Sequence, residues 1–212
     1  MQIISHRGFW QNANDMNSIF SLERSLKCNF GVETDIRDYL GEIVISHDIP
    51  NKNSPLFENI LKIYNNYNSE LILALNIKSD GLYLKLKKLI AQYNITNYFV
   101  FDMSIPETLV YLRNDINFFI RQSEYEKKNI FYNNSIGIWM DELTKEWIKE
   151  NSIKSNLNTG KYVCIISPEI HSRDYIRSWI RYKRVVDKYE TNKLILCTDL
   201  PDEARRFFNE NN

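Results

Sequence analysis

The chain has 212 residues, 43% hydrophobic and 25% charged, enough for one domain with a single core. Lysine plus arginine balances aspartate plus glutamate at 27 each, which excludes a general electrostatic pull toward nucleic acid or an anionic membrane. No stretch approaches the ~18 apolar residues of a membrane span, and no leader is expected because MQIISHRG runs straight into the first strand.

Apolar runs predict strands over residues 2–5, 31–35, 43–46, 71–77, 98–101, 117–120, 135–140, 162–166 and 193–198. Helical spacing falls between most of them, over 18–28, 56–67, 82–93, 106–112, 144–153, 174–188 and 202–208. In the first helix Ile19, Phe20, Leu22 and Leu26 are assigned to the inner face. Asp80-Gly81, and Ser104 before Pro106, are read as helix entries. Strands alternating with helices at this spacing indicate a parallel α/β sheet, closed as a barrel or open as in flavodoxin. Nine strands exceed a TIM barrel by one, and IRDYLGE between the second and third is too short for a crossover helix. With no repeat, low-complexity tract or linker, residues 1–212 are expected to form one domain.

Cys28, Cys164 and Cys197 are far apart and odd in number, and two of them lie in strand-like runs. Buried thiols in a reducing, cytoplasmic compartment are expected. The basic run at 173–188, six cations against two acids, is read as a solvated helix face.

The chemistry concentrates between Ile4 and Asp48. Ile3-Ile4 leads into His6 and Arg7, and Ile43-Val44-Ile45 leads into His47 and Asp48. An apolar run that breaks into ionisable residues is a buried strand delivering polar groups to its end. Glu33 and Asp35 are two apart, so a strand turns both to one face, where they repel unless a cation or proton lies between them. Two histidines then serve as general acid and base, with Arg7 as a planar partner for phosphate oxygens. Asp48 is assigned to orienting a neighbour or holding the turn. The combination suits cleavage of a phosphate ester; the competing reading is a metal-free ion network of the two acids with Arg7, Arg37 and Lys78.

His-Arg-Gly at 6–8, Glu-x-Asp at 33–35 and His-Asp at 47–48 resemble the signature of the glycerophosphodiester phosphodiesterases, relatives of the phosphatidylinositol-specific phospholipases C. Asn17-Ser18, Gly31, Gly41, Lys78 and the closing TDLPDEARRF agree with the same pattern, while the middle of the chain hardly does. The resemblance implies a TIM (β/α)8 barrel and metal-assisted hydrolysis of a small phosphodiester to a phosphomonoester and an alcohol. His6 and His47 would be catalytic, Arg7 and Lys78 would bind substrate, and Glu33 and Asp35 would hold magnesium or calcium. A lyase stopping at a cyclic phosphate and a non-catalytic phosphate-ester-binding barrel are the alternatives.

Three departures stand out. The family's acidic third ligand corresponds to Asn76, which brings an oxygen but no charge; Asp102, Glu124, Asp141 and Glu169 are candidates to compensate, each otherwise a cap or ion-pair partner. The segment between Asp48 and Leu71 lacks a large cap insertion, so an open pocket is expected. YVCIISPEIH replaces the family's tryptophan-bearing segment, placing Glu169 and His171 as extra polar contacts, with Trp10, Tyr39 and Trp139 available for stacking.

Overall fold

The computed structural model describes residues 1–67, 70–127, 129–189 and 192–209. In chain order the elements are β1 (Gln2–Ser5), α1 (Ile19–Lys27), β2 (Gly31–Tyr39), β3 (Glu42–Ile45), α2 (Phe57–Tyr64), β4 (Leu73–Ile77), α3 (Tyr83–Gln92), β5 (Tyr98–Phe101) and α4 (Ile105–Arg113). Then follow β6 (Phe119–Gln122), β7 (Gly137–Met140), α5 (Glu150–Asn158), β8 (Tyr162–Ile166), α6 (Ile176–Val186), β9 (Leu194–Thr198) and α7 (Pro201–Asn209). All strands except β3 are parallel, the succession of a (β/α)8 barrel. Two compact units divide these elements, one over residues 5–118 and one over 1–4 with 119–212.

In the 5–118 unit, β4 lies between β2 and β5, with Asp35 beside Asn76 and Asn76 beside Phe101. The LALNI run of β4 is buried throughout, as a parallel strand covered on both faces must be. The surplus strand is β3. It folds back antiparallel on β2, pairing Ile36 with Ile45 through to Tyr39 with Glu42. Leu40 and Gly41 make the turn at φ 50° and 81°, the left-handed pair required by a type I′ hairpin. IRDYLGE is therefore a ribbon rather than a crossover.

α1 starts at Ser18, whose hydroxyl accepts the Ser21 N–H at 3.1 Å, and buries Leu22 and Leu26. Phe20 is not on that face: it is 78% exposed. Two residues from Leu22 it is turned away by roughly 200°. Ser104 caps α4 through the Glu107 N–H, as expected. Asp80 is not a cap; it accepts from the Ser104 hydroxyl, while Gly81 N–H donates to the buried Glu107.

In the other unit, β6, β7, β8 and β9 pair side by side in parallel. Trp179 of α6 packs against Tyr175, Phe207 and Phe208. Among the cations of α6, Arg181 pairs with Glu146 and Arg184 with Glu150, while Lys183 donates to Phe207 O and lies over its ring at 5.6 Å. α5 begins six residues later than its spacing predicts. Glu124 accepts the N–H groups of Leu143, Thr144 and Lys145, and Glu142 those of Trp147 and Ile148. Two buried carboxylates thus satisfy amides that a helix start would otherwise leave orphaned, and residues 141–149 stay a loop.

Candidate active site

Past β1 the chain turns sharply, with Arg7 at φ 53° and Gly8 at φ 85°. Gly8 lies against the first turn of α1, where a Cβ would come within 2.8 Å of the Leu22 nitrogen, so only glycine fits. The Phe9 N–H to Ser21 O and Asn17 N–H to Arg7 O bonds lock this turn. The turn brings Arg7 onto β2. Its N–H donates to Glu33 Oε2 at 3.0 Å, and its Nε makes an ion pair with Asp35 Oδ2 at 3.0 Å.

Glu33 and Asp35 are each 1% exposed and share one face of β2. Lys78, just past β4, reaches Asp35 Oδ1 at 3.3 Å. Burial, then repulsion from Asp35, pushes the Glu33 carboxyl above the usual range, against the opposing pull of His6 and Arg7. Asn76 stands in register beside Asp35, hence on the same face, and its buried Oδ1 has no hydrogen-bond partner.

His6 is half-buried, and His47 follows β3 where Ser46 N–H donates to Asp35 O at 3.0 Å. The ribbon thus returns His47 to the level of the acidic pair. Its Nδ1 meets Asp48 Oδ1 at 2.8 Å, with side-chain exposures of 45% and 93%. Asp48 thus orients its neighbour, and the histidine beside it holds its carboxyl below the usual range.

The structure therefore joins Arg7, Glu33, Asp35 and Lys78 directly, sets Asn76 next to them and leaves His6 in electrostatic reach of Glu33. Sequence reasoning missed the hub of the cluster. Asn17 donates from Nδ2 to Asp35 Oδ2 at 2.8 Å, and its Oδ1 accepts from Thr34 Oγ1 and the Asp35 N–H. Its signals were its place before the Ser18 cap and the agreement of Asn17-Ser18 with the family pattern, neither of which names its partners.

The oxygen set fits a hard cation: two carboxylates crowded on one face, and an amide oxygen beside them without a donor. Among the described residues, no group of three or more His, Cys, Asp and Glu side chains is gathered to hold a metal ion. Three of the candidate compensating acids, Glu124, Asp141 and Glu169, have other engagements. Burial would raise Glu124, but the hydrogen bonds of Thr144 and its neighbours hold it at about 2. Asp141 pairs with His171 Nε2 at 2.7 Å, and Glu169, raised by burial, accepts from Ser167, Thr198 and Asp199. Asp102 follows β5 at φ 65°. Trp139 is buried in β7, packed as core rather than offered as a stacking surface. No helix among the described residues is long and apolar enough to cross a membrane.

Neither a protein-family model nor a curated protein matches the sequence. Solved structures do match. A phosphodiesterase from Oleispira antarctica, in complex with the product sn-glycerol-3-phosphate, has a TM-score of 0.72 at 13% identity, covering 99% of this chain and 97% of that one. A glycerophosphodiester phosphodiesterase from Parabacteroides distasonis gives 0.69 at 15% identity, with coverages of 98% and 96%. Another from Agrobacterium tumefaciens gives 0.68 at 13%, covering 98% of both chains. The likeness spans nearly the full length of each. This chain has the TIM-barrel fold of the glycerophosphodiester phosphodiesterases.

Proposed function

We propose that the protein is a cation-assisted phosphodiesterase that hydrolyses a glycerophosphodiester, or a related small phosphodiester, to a phosphomonoester and an alcohol. The observation that carries this reading is the buried Glu33–Asp35 pair with Arg7 and Lys78 both anchored on it. Two desolvated carboxylates on one strand face are costly unless positive charge compensates them. Arg7 and Lys78 both meet Asp35, while Glu33 accepts a backbone N–H from Arg7, and a bound cation would serve the pair together.

Arg7 contacts Asp35 through Nε, and one terminal nitrogen touches only the Met16 sulfur at 4.0 Å, so the outer edge of the guanidinium remains for phosphate oxygens. Lys78 adds a point charge on the other side of Asp35. Glu33, Asp35 and Asn76 would hold magnesium or calcium. When bound, that ion polarises the phosphoryl oxygen and neutralises its developing charge. Asp48 on Nδ1 leaves His47 Nε2 to exchange a proton with substrate, and His6 serves the opposite transfer. Cys164 and Cys197, buried in β8 and β9, support a reducing, cytoplasmic setting.

The test is a panel of glycerophosphodiesters assayed with magnesium, calcium, manganese or chelator, followed by phosphorus NMR. Cation-dependent release of a phosphomonoester is expected. Accumulating cyclic phosphate would make the enzyme a lyase, and binding without turnover would make it a receptor.

A further inference from the structure

Asn17 is treated by the fold as more than a turn residue. It is 9% exposed, sits at φ 58° just outside α1, and spends every side-chain bond on Thr34 and Asp35. The orientation of its amide is fixed by chemistry. Oδ1 faces the Asp35 backbone N–H, which can only donate, so the opposite atom must be the NH2 group facing the carboxylate. The two oxygens of Asp35 are thereby made unequal. Oδ2 is taken by Asn17 Nδ2 at 2.8 Å and Arg7 Nε at 3.0 Å. Oδ1 is buried, accepts no hydrogen bond, and has Lys78 at 3.3 Å as its ion-pair neighbour.

We propose that Asn17 is a positioning residue that withholds Asp35 Oδ2 and offers Oδ1 alone to a divalent cation, so that Asp35 binds through one oxygen. This rests on the reading that Glu33, Asp35 and Asn76 form a cation site. A single-oxygen carboxylate suits magnesium, which demands near-octahedral geometry; calcium accepts a carboxylate through both oxygens. Asn17 therefore favours the smaller ion. An asparagine kept only because it tolerates positive φ would have no bearing on that choice.

Asn17→Gly separates the two roles, since glycine keeps the left-handed backbone and removes the amide. Isothermal titration of magnesium and of calcium into the metal-free wild type and variant reads the outcome without any turnover. Loss of a group that orients a ligand typically weakens metal affinity 10–100-fold. Magnesium is expected to lose about tenfold or more and calcium distinctly less, so that the ratio of the two dissociation constants moves. Thr34→Val removes the hydroxyl that donates to Asn17 Oδ1, leaving Asp35 untouched; the same shift, smaller, is expected and serves if Asn17→Gly does not fold. Equal losses for the two ions in the folded variants, or none, overturn the inference while the cation reading stands. A wild type that binds neither ion overturns both.

Discussion

Asn76→Asp should destabilise the protein in the absence of a cation and regain most of that loss when a cation is bound. Asn76 and Asp35 are laterally paired on β4 and β2, so the new carboxylate would stand one strand spacing, ~5 Å, from its neighbour. At an effective dielectric of ~20, two like charges at ~5 Å repel by about 3 kcal/mol. Glu33 shares the face and adds to this, while Arg7 and Lys78, both on Asp35, subtract from it. A net loss of ~1–2 kcal/mol is reasonable, which for a chain of this size lowers Tm by about 2–8 °C. With a divalent ion bound, the third negative oxygen becomes an attraction, and affinity should rise about tenfold, equivalent to ~1.4 kcal/mol. Thermal melts of both proteins in chelator and in millimolar magnesium or calcium give the comparison. The variant should melt below the wild type in chelator and show the larger ion-induced rise. Equal Tm in chelator together with equal rises would show that residue 76 does not face the acidic pair, and the proposed ligand set would fall.

Three further outcomes are expected. His6→Ala and His47→Ala should each lower kcat by ~10²–10⁴ with KM little changed, measured by steady-state kinetics, and full activity in either removes that histidine from the mechanism. Glu124, held at about 2 against an ordinary 4.5, gives stability that is present above pH ~4.5 and is lost as pH falls toward ~2. Acid titrations followed by circular dichroism should therefore fall more steeply through that window for the wild type than for Glu124→Gln. Glu142→Ala strands the amides of Trp147 and Ile148 and removes the carboxylate beside Arg173. It should cost about 3 kcal/mol or more in urea unfolding, and a loss under 1 kcal/mol would show that the loop does not depend on that carboxylate.

What the sequence revealed was what depends on near neighbours in the chain. The alternation through Val32-Glu33-Thr34-Asp35 puts both acids on one face, and the shortness of IRDYLGE rules out a crossover, in agreement with the hairpin. Phe20 went wrong because two apolar residues at helical distance i, i+2 cannot both face inward. The late start of α5 was hidden because the carboxylate that captures residues 143–145 lies some twenty positions upstream in Glu124. The resemblance marked Asn17, but its role was illegible for a similar reason. Its partners are seventeen and eighteen residues away, and an asparagine before a helix cap is an ordinary local choice.

The β2–β3 ribbon divides the candidate site between two supports. Glu33, Asp35 and Asn76 are held by the β2–β4 ladder, which ends at Ile36 beside Ile77. His47 is held instead by the Ser46 bond to Asp35 at the foot of the ribbon. Residues 37–44 lie between these anchor points and reach out to an exposed tip at Leu40. Adding or deleting a facing pair along the ribbon preserves the side-chain alternation at its foot, so its length can change without disturbing the acids or the histidine. The ribbon is therefore a part that can be lengthened or trimmed while the candidate site stays fixed.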